Sequence, residues 1–363
     1  MEIYLFKSEI DKLKILINAL SGIGDALMFT PALTILRKEL PNAKIDAMVM
    51  LKGVKDLYEE LDDINDVFYH DMMNDSKLSS IRFIKQLRKK YDITISVYPS
   101  NRKEYNIVNY ILGAKKRSGV SYKNQNIINL GFLNNVVVDE DNKNHCVETN
   151  VKLVEKILNK KITQIPDLVF PLKENDIKYS KNYLTENKIN QEDYVVGMHA
   201  GCSVLKNHIN RRWAPEKFAE LAKQLIKNKN AKVLIFGGPD ENELKSKIEL
   251  LVSSERFINV KTNNLRETAA IIKRSDLFIT NDSGLMHIAA AMKRKIIPII
   301  GPTNLNYIHP WNSTYKAATI NLECAPCFYY SPNPLTCSRK DKQFKCLHDL
   351  NVENVYKTIE SFT

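Results

Sequence analysis

Short apolar runs alternate with amphipathic segments through the first half of the chain. Four runs of high β-propensity predict buried strands at residues 14–20, 45–50, 67–69 and 93–98. Apolar positions at helical spacing predict helices over residues 26–40, 78–90 and 145–159. Because strands and helices follow one another in turn, the pattern predicts a parallel sheet with right-handed crossovers.

The same alternation restarts in the second half. It predicts strands at residues 194–199, 232–236, 276–280 and 296–300, and helices at residues 215–229, 265–274 and 284–292. Pro166 and Pro171 make the stretch between the halves an extended connection. We therefore predict an N-terminal domain over residues 1–165, a C-terminal domain over residues 173–345, and a C-terminal helix over residues 346–363 that can cross back to the first domain.

The composition is that of an ordinary globular protein, since 44% of the 363 residues are apolar and 26% are charged. The formal charge of +11 favours anionic partners such as nucleic acid, acidic lipid headgroups or phosphorylated sugars, although a compositional bias towards lysine explains it equally well. No arginine-rich run or RNA-type aromatic motif supports nucleic acid. The chain has no apolar run of 18 residues and no signal-like start, so we expect a cytoplasmic protein.

A glycine-containing turn, S-G-I-G-D, follows the first predicted strand and opens a helix. Gly22 and Gly24 allow a tight turn and a close approach of the backbone to a ligand. The dinucleotide fingerprint requires a third glycine, and Leu27 stands there instead, which excludes that motif. Asp25 is a candidate general base at the strand end, and an aspartate that only caps the helix is the alternative.

Two further strand ends in the second half carry charged residues. The segment H-A-G-C-S, which ends at Ser203, is followed by Arg211 and Arg212, and such a pair suits phosphate oxygens or forms a solvated basic loop. Glu241 follows two glycines after the next strand. Its carboxylate can accept hydrogen bonds from a ribose or favour the positive end of the following helix.

The segment N-D-S-G-L-M-H at residues 281–287 is the most specific of these patterns. A strand ends and a helix begins at once, so Ser283, Gly284 and Leu285 can present successive backbone amides to a pyrophosphate. Asp282 is a candidate helix cap or sugar ligand. His287 falls in the first helical turn, as a candidate donor-binding residue or a buried structural histidine.

Four cysteines cluster near the C-terminus: Cys324, Cys327, Cys337 and Cys346. Intervals of two, nine and eight residues between them fit a tetrahedral four-thiolate site. Such a site has no open position, so a bound metal ion would be structural, and reduced thiols without metal are the alternative. The sequence carries no H-E-x-x-H motif and no Walker A motif, which argues against metallohydrolase and nucleoside-triphosphatase functions.

Together these segments resemble glycosyltransferase family 9, the ADP-heptose:lipopolysaccharide heptosyltransferases. The strongest matches are G-I-G-D-A-L-M-F-T-P-A-L at residues 22–33 and N-D-S-G-L-M-H-I-A-A-A at residues 281–291. The resemblance implies an α/β protein of GT-B fold, with two Rossmann-like doubly wound domains facing a central cleft. It also implies an inverting transferase of lipopolysaccharide biosynthesis that moves heptose from ADP-heptose to a lipopolysaccharide core or related glycan and needs no metal for the chemistry.

The resemblance also implies roles for individual residues. Asp25 matches the proposed catalytic base, and Glu241 matches an acidic residue that meets the donor ribose. Arg211 stands where the family commonly has a lysine in a K-[RH]-W-P segment. The planar guanidinium group of arginine would therefore replace the compact ammonium group of lysine at the donor phosphates. The donor loop corresponds to Asp282, Ser283, Gly284, Leu285 and His287. The cysteine cluster resembles an iron-bound four-cysteine element in a related protein-glycosylating branch, which makes zinc or iron the candidate structural metal.

The resemblance leaves donor and acceptor open. Transfer of another sugar, heptosylation of a protein acceptor and non-catalytic binding of a sugar nucleotide are the alternatives. If the main interpretation holds, the partners are ADP-heptose and an anionic glycolipid, and the cytoplasmic protein can contact the inner face of the cell membrane. Arg102, Lys103 and Arg117 are candidate acceptor-side positive charges.

Overall fold

The chain folds into two compact α/β units in a computed structural model that describes residues 13–123, 125–329 and 334–363. The first unit extends to Pro171 and the second begins at Leu172, within the extended connection that contains Pro166 and Pro171. Both units consist of parallel strands joined by helices, so the predicted α/β organisation is confirmed.

Strands and α-helices alternate along most of the described chain. The strands are β1 Lys14–Ala19, β2 Lys44–Val49, β3 Val67–Tyr69, β4 Ile93–Ser96, β5 Lys116–Ser121, β6 Val136–Asp139, β7 Val195–His199, β8 Lys232–Phe236, β9 Phe257–Asn259, β10 Leu277–Asn281 and β11 Lys295–Ile299. The α-helices are α1 Ile23–Glu39, α2 Lys52–Tyr58, α3 Lys77–Leu87, α4 Lys103–Leu112, α5 Cys146–Leu158, α6 Glu174–Glu186, α7 Pro215–Lys229, α8 Asn242–Val252, α9 Leu265–Ile272, α10 Gly284–Ala291, α11 Leu305–Ile308, α12 Lys345–His348 and α13 Val352–Glu360.

The first unit contains a six-stranded parallel sheet in the order β3-β2-β1-β4-β5-β6. Its central strand β1 carries Ile15, Leu16 and Ile17, which are fully buried. A strand covered by helices on both faces needs apolar residues at successive positions, and this explains the continuous run in the sequence. The strand order reverses between β1 and β4.

The second unit contains a five-stranded parallel sheet in the order β11-β10-β7-β8-β9, which reverses between β7 and β10. Pro215 begins α7 at a position where its missing N–H costs no hydrogen bond. The C-terminal helix α13 places Val355 and Ile359 in the core of this unit, and Trp213 Nε1 donates to the Leu350 carbonyl at 2.8 Å.

None of the helices in the described part of the chain is long and apolar enough to span a bilayer.

Candidate functional site

The carboxyl ends of β7 and β10 meet where the strand order of the second sheet reverses. His199 ends β7, and Thr280 is its partner in the register of the two parallel strands. In doubly wound sheets the crevice outside such a reversal is the usual ligand site, because the loops that leave the two strands diverge there. The two segments that the sequence singled out, residues 199–203 and 281–287, therefore both start at this reversal of the strand order.

Asn281 fastens the loops around this reversal. Its side-chain oxygen accepts a hydrogen bond from the Trp213 amide at 3.0 Å, and its Nδ2 donates to the Ala200 carbonyl at 2.7 Å. The buried asparagine thus fixes the backbone beside Arg211 and Arg212 against the end of β7. Sequence reasoning assigned no role to Asn281, although it stands at the head of the N-D-S-G segment.

His199 bridges the donor-loop serine and the acidic residue after β8. Its Nδ1 lies 2.9 Å from Ser283 Oγ and its Nε2 lies 3.0 Å from Glu241 Oε2. Burial acts to raise the pKa of Glu241, but the His199 hydrogen bond and charge, the Gly238 amide and Arg212 together hold it below its usual range. Glu241 is therefore ionised at neutral pH. His199 was absent from the predicted site residues, and its position at a strand end was the available signal.

The contact between His199 and Ser283 also affects the start of α10. Ser283 is the N-cap residue, yet its side chain makes no capping hydrogen bond to the helix and lies 3.1 Å from Thr280 Oγ1 in addition to its contact with His199. The first-turn amides, which begin with Gly284 and Leu285, point towards the region before the helix. A helix start without a side-chain cap suits an anion such as a phosphate.

The two arginines occupy different environments. Arg211 is buried and donates through Nη1 to Asp282 Oδ2, while its guanidinium lies 5.6 Å from the centroid of the Phe328 ring. Thr303 Oγ1 also donates to Asp282 Oδ2, at 2.8 Å. Thr303 lies outside every segment that the sequence singled out, and the Gly-Pro pair that precedes it after β11 was its local signal. Phe328 directly follows Cys327 of the cysteine cluster, for which only a metal site was predicted.

Arg212 turns the other way, towards Glu241. It donates through Nη2 to the Cys202 carbonyl at 2.6 Å and lies 3.5 Å from Glu241 Oε1. The structure thus brings Arg211, Asp282 and Ser283 together with Arg212 and Glu241 around one strand reversal. Each guanidinium group has a carboxylate partner that holds its charge at a fixed position.

Two other predicted donor residues lie differently. Ser203 is exposed, and its hydroxyl oxygen accepts from the Leu205 amide at 3.3 Å, a contact within its own loop. His287 is buried, and burial lowers its pKa to about 4, so its ring is neutral at physiological pH. The structure places His287 inside the unit, and its role in donor binding stays a prediction.

In the first unit, Asp25 stands at the third position of α1. Its Oδ2 accepts a hydrogen bond from the Gly22 amide at 3.1 Å, which forms the capping contact that the sequence offered as one alternative. The negative charge of Asp25 also contributes, after burial, to raising the pKa of Tyr58 and Tyr105. Gly24 lies in the same first turn. A catalytic role for Asp25 stays a prediction.

The four cysteines of the C-terminal cluster lie near one another. Burial, and to a lesser extent the charges of Cys327, Cys337 and Cys324, raise the pKa of the Cys346 thiol to about 11. The Phe344 amide donates to Cys337 Sγ at 3.3 Å. In the described ranges, no three His, Cys, Asp or Glu side chains are arranged to hold a metal ion. The metal prediction therefore stays a prediction.

The second unit has the features of a nucleotide-binding α/β protein: a doubly wound sheet, an uncapped helix start at the reversal, and fixed arginine and carboxylate groups beside it. Comparison with known proteins defines the class more closely. The sequence profile of glycosyltransferase family 9 (heptosyltransferase) matches residues 80–335.

Named relatives and solved structures match over most of their length. The chain is 28% identical to lipooligosaccharide heptosyltransferase 2 of Campylobacter jejuni, over 97% of this chain and 99% of that protein. It is 26% identical to lipopolysaccharide heptosyltransferase 2 of Escherichia coli, over 85% of this chain and 88% of that protein. The structure of E. coli ADP-heptose LPS heptosyltransferase II superposes with a TM-score of 0.72 at 21% identity, covering 96% of this chain and 98% of that one.

These matches fix the class, a glycosyltransferase of GT-B fold. The profile match covers well over half of the sequence, and the chain belongs to glycosyltransferase family 9. The resemblance expected from the G-I-G-D and N-D-S-G-L-M-H segments is therefore confirmed.

Proposed function

We propose that the protein is an inverting heptosyltransferase that moves heptose from ADP-heptose to a lipopolysaccharide core or a related glycan. The observation that carries the donor half of this proposal is the polar arrangement around His199, which links Ser283 to Glu241 at the start of α10. The names of the matching relatives support heptose and lipopolysaccharide as donor sugar and acceptor class.

The donor diphosphate is proposed to lie at the start of α10. Backbone amides of Gly284 and Leu285 and the guanidinium groups of Arg211 and Arg212 would offset the negative charge that builds on the leaving ADP. Glu241 is ionised and held by His199, so it can accept hydrogen bonds from the ribose hydroxyls. In this mechanism the compensating charges come from the protein and no metal ion takes part in the chemistry.

Asp25 is proposed to remove the proton from the acceptor hydroxyl. Its capping contact with the Gly22 amide fixes the carboxylate at the end of β1, where it would meet the acceptor. The hydroxyl oxygen would then attack the anomeric carbon from the face opposite the departing ADP, which inverts the configuration there. A single carboxylate is sufficient for this step because no covalent glycosyl intermediate forms.

Asp25→Asn separates capping from catalysis. The amide oxygen of asparagine can still accept from the Gly22 amide, but the side chain no longer acts as a base. We expect the melting temperature and the thermal shift with ADP-heptose to stay near wild type, while turnover falls by about 10²- to 10⁴-fold. Turnover is measured as ADP release in the presence of a lipopolysaccharide-core acceptor.

Other nucleotide sugars and a protein acceptor serve as comparison substrates in the same assay. A thermal shift with a different nucleotide sugar, and none with ADP-heptose, would mean that this other nucleotide sugar is the donor. Transfer of the sugar to the protein acceptor alone would mean that the acceptor is a protein and not a glycan. Full turnover by Asp25→Asn would remove Asp25 as the base, and absence of any shift with every nucleotide sugar would contradict the transferase proposal itself.

We also propose a structural zinc or iron ion at Cys324, Cys327, Cys337 and Cys346. The charges of Cys327, Cys337 and Cys324 all act to raise the pKa of the Cys346 thiol, because the four sulfurs are neighbours. Backbone and guanidinium N–H groups donate to Cys337 and Cys324, as donors commonly do to ligating sulfur. Elemental analysis of reduced protein should find about one metal ion per chain in wild type and in Cys202→Ser, and none in Cys324→Ser. Metal-free wild-type protein would contradict this proposal.

The place of action is proposed to be the cytoplasmic face of the inner membrane, to which the protein binds peripherally. A lipopolysaccharide acceptor is anchored in a bilayer by its lipid, so the enzyme must meet it at that surface. The net charge of +11 suits an anionic acceptor and an anionic leaflet.

A further inference from the structure

Large apolar side chains are exposed together on one part of the first unit. Ile127 is 81% exposed, Ile128 75% and Phe132 59%, and all three lie in the loop between β5 and β6. On α4 the Tyr110 side chain is 55% exposed, and Ile107 and Ile111, one turn apart, are exposed as well. We call these six residues the apolar surface.

The loop and the helix are held side by side. Asn106 Nδ2 on α4 donates to the Asn129 carbonyl at 2.7 Å. Arg117 Nε donates to the Leu133 carbonyl at 2.9 Å while its guanidinium lies 5.5 Å from the centroid of the Tyr110 ring. The exposed side chains of the two elements therefore lie on neighbouring parts of one surface.

Polar and apolar residues of this loop occupy the reverse of their usual positions. Asn129 and Asn134 are buried and hydrogen-bonded, whereas Ile127 and Ile128 face outward. Asn129 Nδ2 donates to Asn101 Oδ1, and Asn134 Nδ2 donates to Asn106 Oδ1. Because buried amides fix the loop from inside, the isoleucines cannot turn inward without breaking these hydrogen bonds.

Positive charge is concentrated in the stretch of sequence that carries this surface, and the Arg117 guanidinium lies against the Tyr110 ring of the surface itself. Between residues 102 and 135 the sequence has six basic residues and one acidic residue, so this short stretch holds a net charge of +5 out of +11. Lys115 and Lys123, which flank β5, are both exposed. Exposed apolar side chains accompanied by basic residues are the pattern of proteins that lie on anionic bilayers, where the apolar groups enter the headgroup region and the cations pair with phosphates.

We infer that the apolar surface docks the protein on an anionic lipid bilayer. This inference deepens the proposed function, on which it rests for the glycolipid nature of the acceptor. A second copy of the chain fits this surface less well, because a symmetric contact would bring together two copies of a stretch whose net charge is +5.

Flotation with lipid vesicles tests the inference directly. Wild-type protein should float with vesicles of phosphatidylglycerol and phosphatidylcholine, and much less with phosphatidylcholine alone or at high salt. The triple variant Ile127→Ser, Ile128→Ser, Phe132→Ser should bind the anionic vesicles at least about 10-fold more weakly. Leu250→Ser is the matched control, because Leu250 is 80% exposed on α8 in the other unit.

A charge variant tests the contribution of the basic residues Lys115 and Lys123 independently, and it remains informative if the triple variant folds poorly. Lys115→Gln with Lys123→Gln should weaken anionic-vesicle binding several-fold. The control pair Lys223→Gln with Lys227→Gln removes the same charge from exposed positions of α7 and should bind like wild type. Circular dichroism and melting curves establish that each variant is folded.

Failure of this inference and failure of the proposed function give different results. Turnover with a delipidated, soluble acceptor should be unchanged in the triple variant, while the KM for an acceptor embedded in vesicles should rise. Wild-type binding by the folded triple variant, or binding that ignores lipid charge, overturns the inference. So does a dimer in light scattering that this variant converts to monomer. Absence of turnover in the wild-type protein with every acceptor would instead contradict the transferase proposal, and the vesicle-binding result would still hold.

Discussion

The Glu241 carboxylate packs directly against the backbone of Gly201, and this contact leaves no room for a side chain at position 201. A Cβ added to Gly201 would overlap Glu241 Oε1. The same carboxylate is held by His199 Nε2 at 3.0 Å and by the Gly238 amide at 3.1 Å. Gly201 is therefore a glycine because of the close approach of a charged side chain.

Gly201→Ala should displace Glu241 from His199. The methyl group occupies the position of the carboxylate, so the side chain must rotate and the proposed ribose contact is lost. We expect the affinity for ADP to fall by about 10-fold, the usual effect of losing a hydrogen bond to a charged group. Isothermal titration calorimetry measures it.

Gly238→Ala is the matched control for that variant. Gly238 also borders Glu241, but a Cβ there meets nothing within 4 Å, and its φ of −73° is ordinary for alanine. This variant should bind ADP like wild type. Equal ADP affinity in both variants would show that the position of Glu241 does not affect nucleotide binding.

The ion pair of Arg211 with Asp282 gives a second prediction. Both side chains are about nine-tenths buried, so removal of one partner leaves an uncompensated charge inside the unit. We expect Arg211→Met to lower the free energy of unfolding by about 3–5 kcal/mol. Urea denaturation of the unliganded protein measures this change.

The double variant Arg211→Met with Asp282→Asn is the control for that experiment. It removes both charges, so most of the lost stability should return, whereas the proposed phosphate contact stays absent. A double variant as unstable as the sum of the two single variants would mean that the two side chains do not interact in solution.

Much of the fold could be predicted because the central strands are covered on both faces. The runs that predicted β1, β7 and β10 are uninterrupted because each of these strands is buried between helices. Helix α7 was predicted from Pro215 to Lys229 and is observed with those bounds, since a proline starts it and Asn230 in the left-handed region ends it.

Other elements were not predicted, because their sequences lack that pattern. Strand β5 reads K-R-S-G-V-S and is assigned by its pairing with β4 and β6 rather than by its own residues. Helix α6 buries only Asp176 and Ser180, so it has no apolar stripe to detect.

The candidate site was predictable where a motif met a strand end, and not where it depended on contacts between distant loops. Asp282 and Ser283 were found from the N-D-S-G-L-M-H segment. Thr303, which donates to Asp282, and Phe328, which packs on Arg211, come from loops far along the chain. No local spacing encodes such contacts, because the sheet order alone brings these loops together.

Asn281 gives a third prediction, about the link between loops. Asn281→Leu keeps the volume but removes the acceptor for the Trp213 amide and the donor to the Ala200 carbonyl. Two buried backbone groups lose their partners, which should cost about 2–4 kcal/mol of unfolding free energy. Asn175→Leu, on the exposed side of α6, should change stability by less than about 0.5 kcal/mol. Equal effects at the two positions would contradict this account.

The buried His287 predicts how stability depends on pH. Burial lowers its pKa to about 4 in the folded state, from an ordinary value of 6.5. Between these values the unfolded chain binds a proton at this position and the folded chain does not. The free energy of unfolding therefore falls as the pH decreases from 6.5 to 4, by about 3 kcal/mol from this group.

Replacement of this histidine should remove that part of the pH dependence. Chemical denaturation of His287→Gln at pH 7 and at pH 4.5 should show a stability difference smaller than that of wild type by about 2–3 kcal/mol. His348→Gln is the control, because His348 is exposed at the end of α12 and should leave the difference unchanged. A wild-type difference in the His287 variant would mean that other groups take up the protons on unfolding, and that the buried imidazole is not the cause of the acid sensitivity.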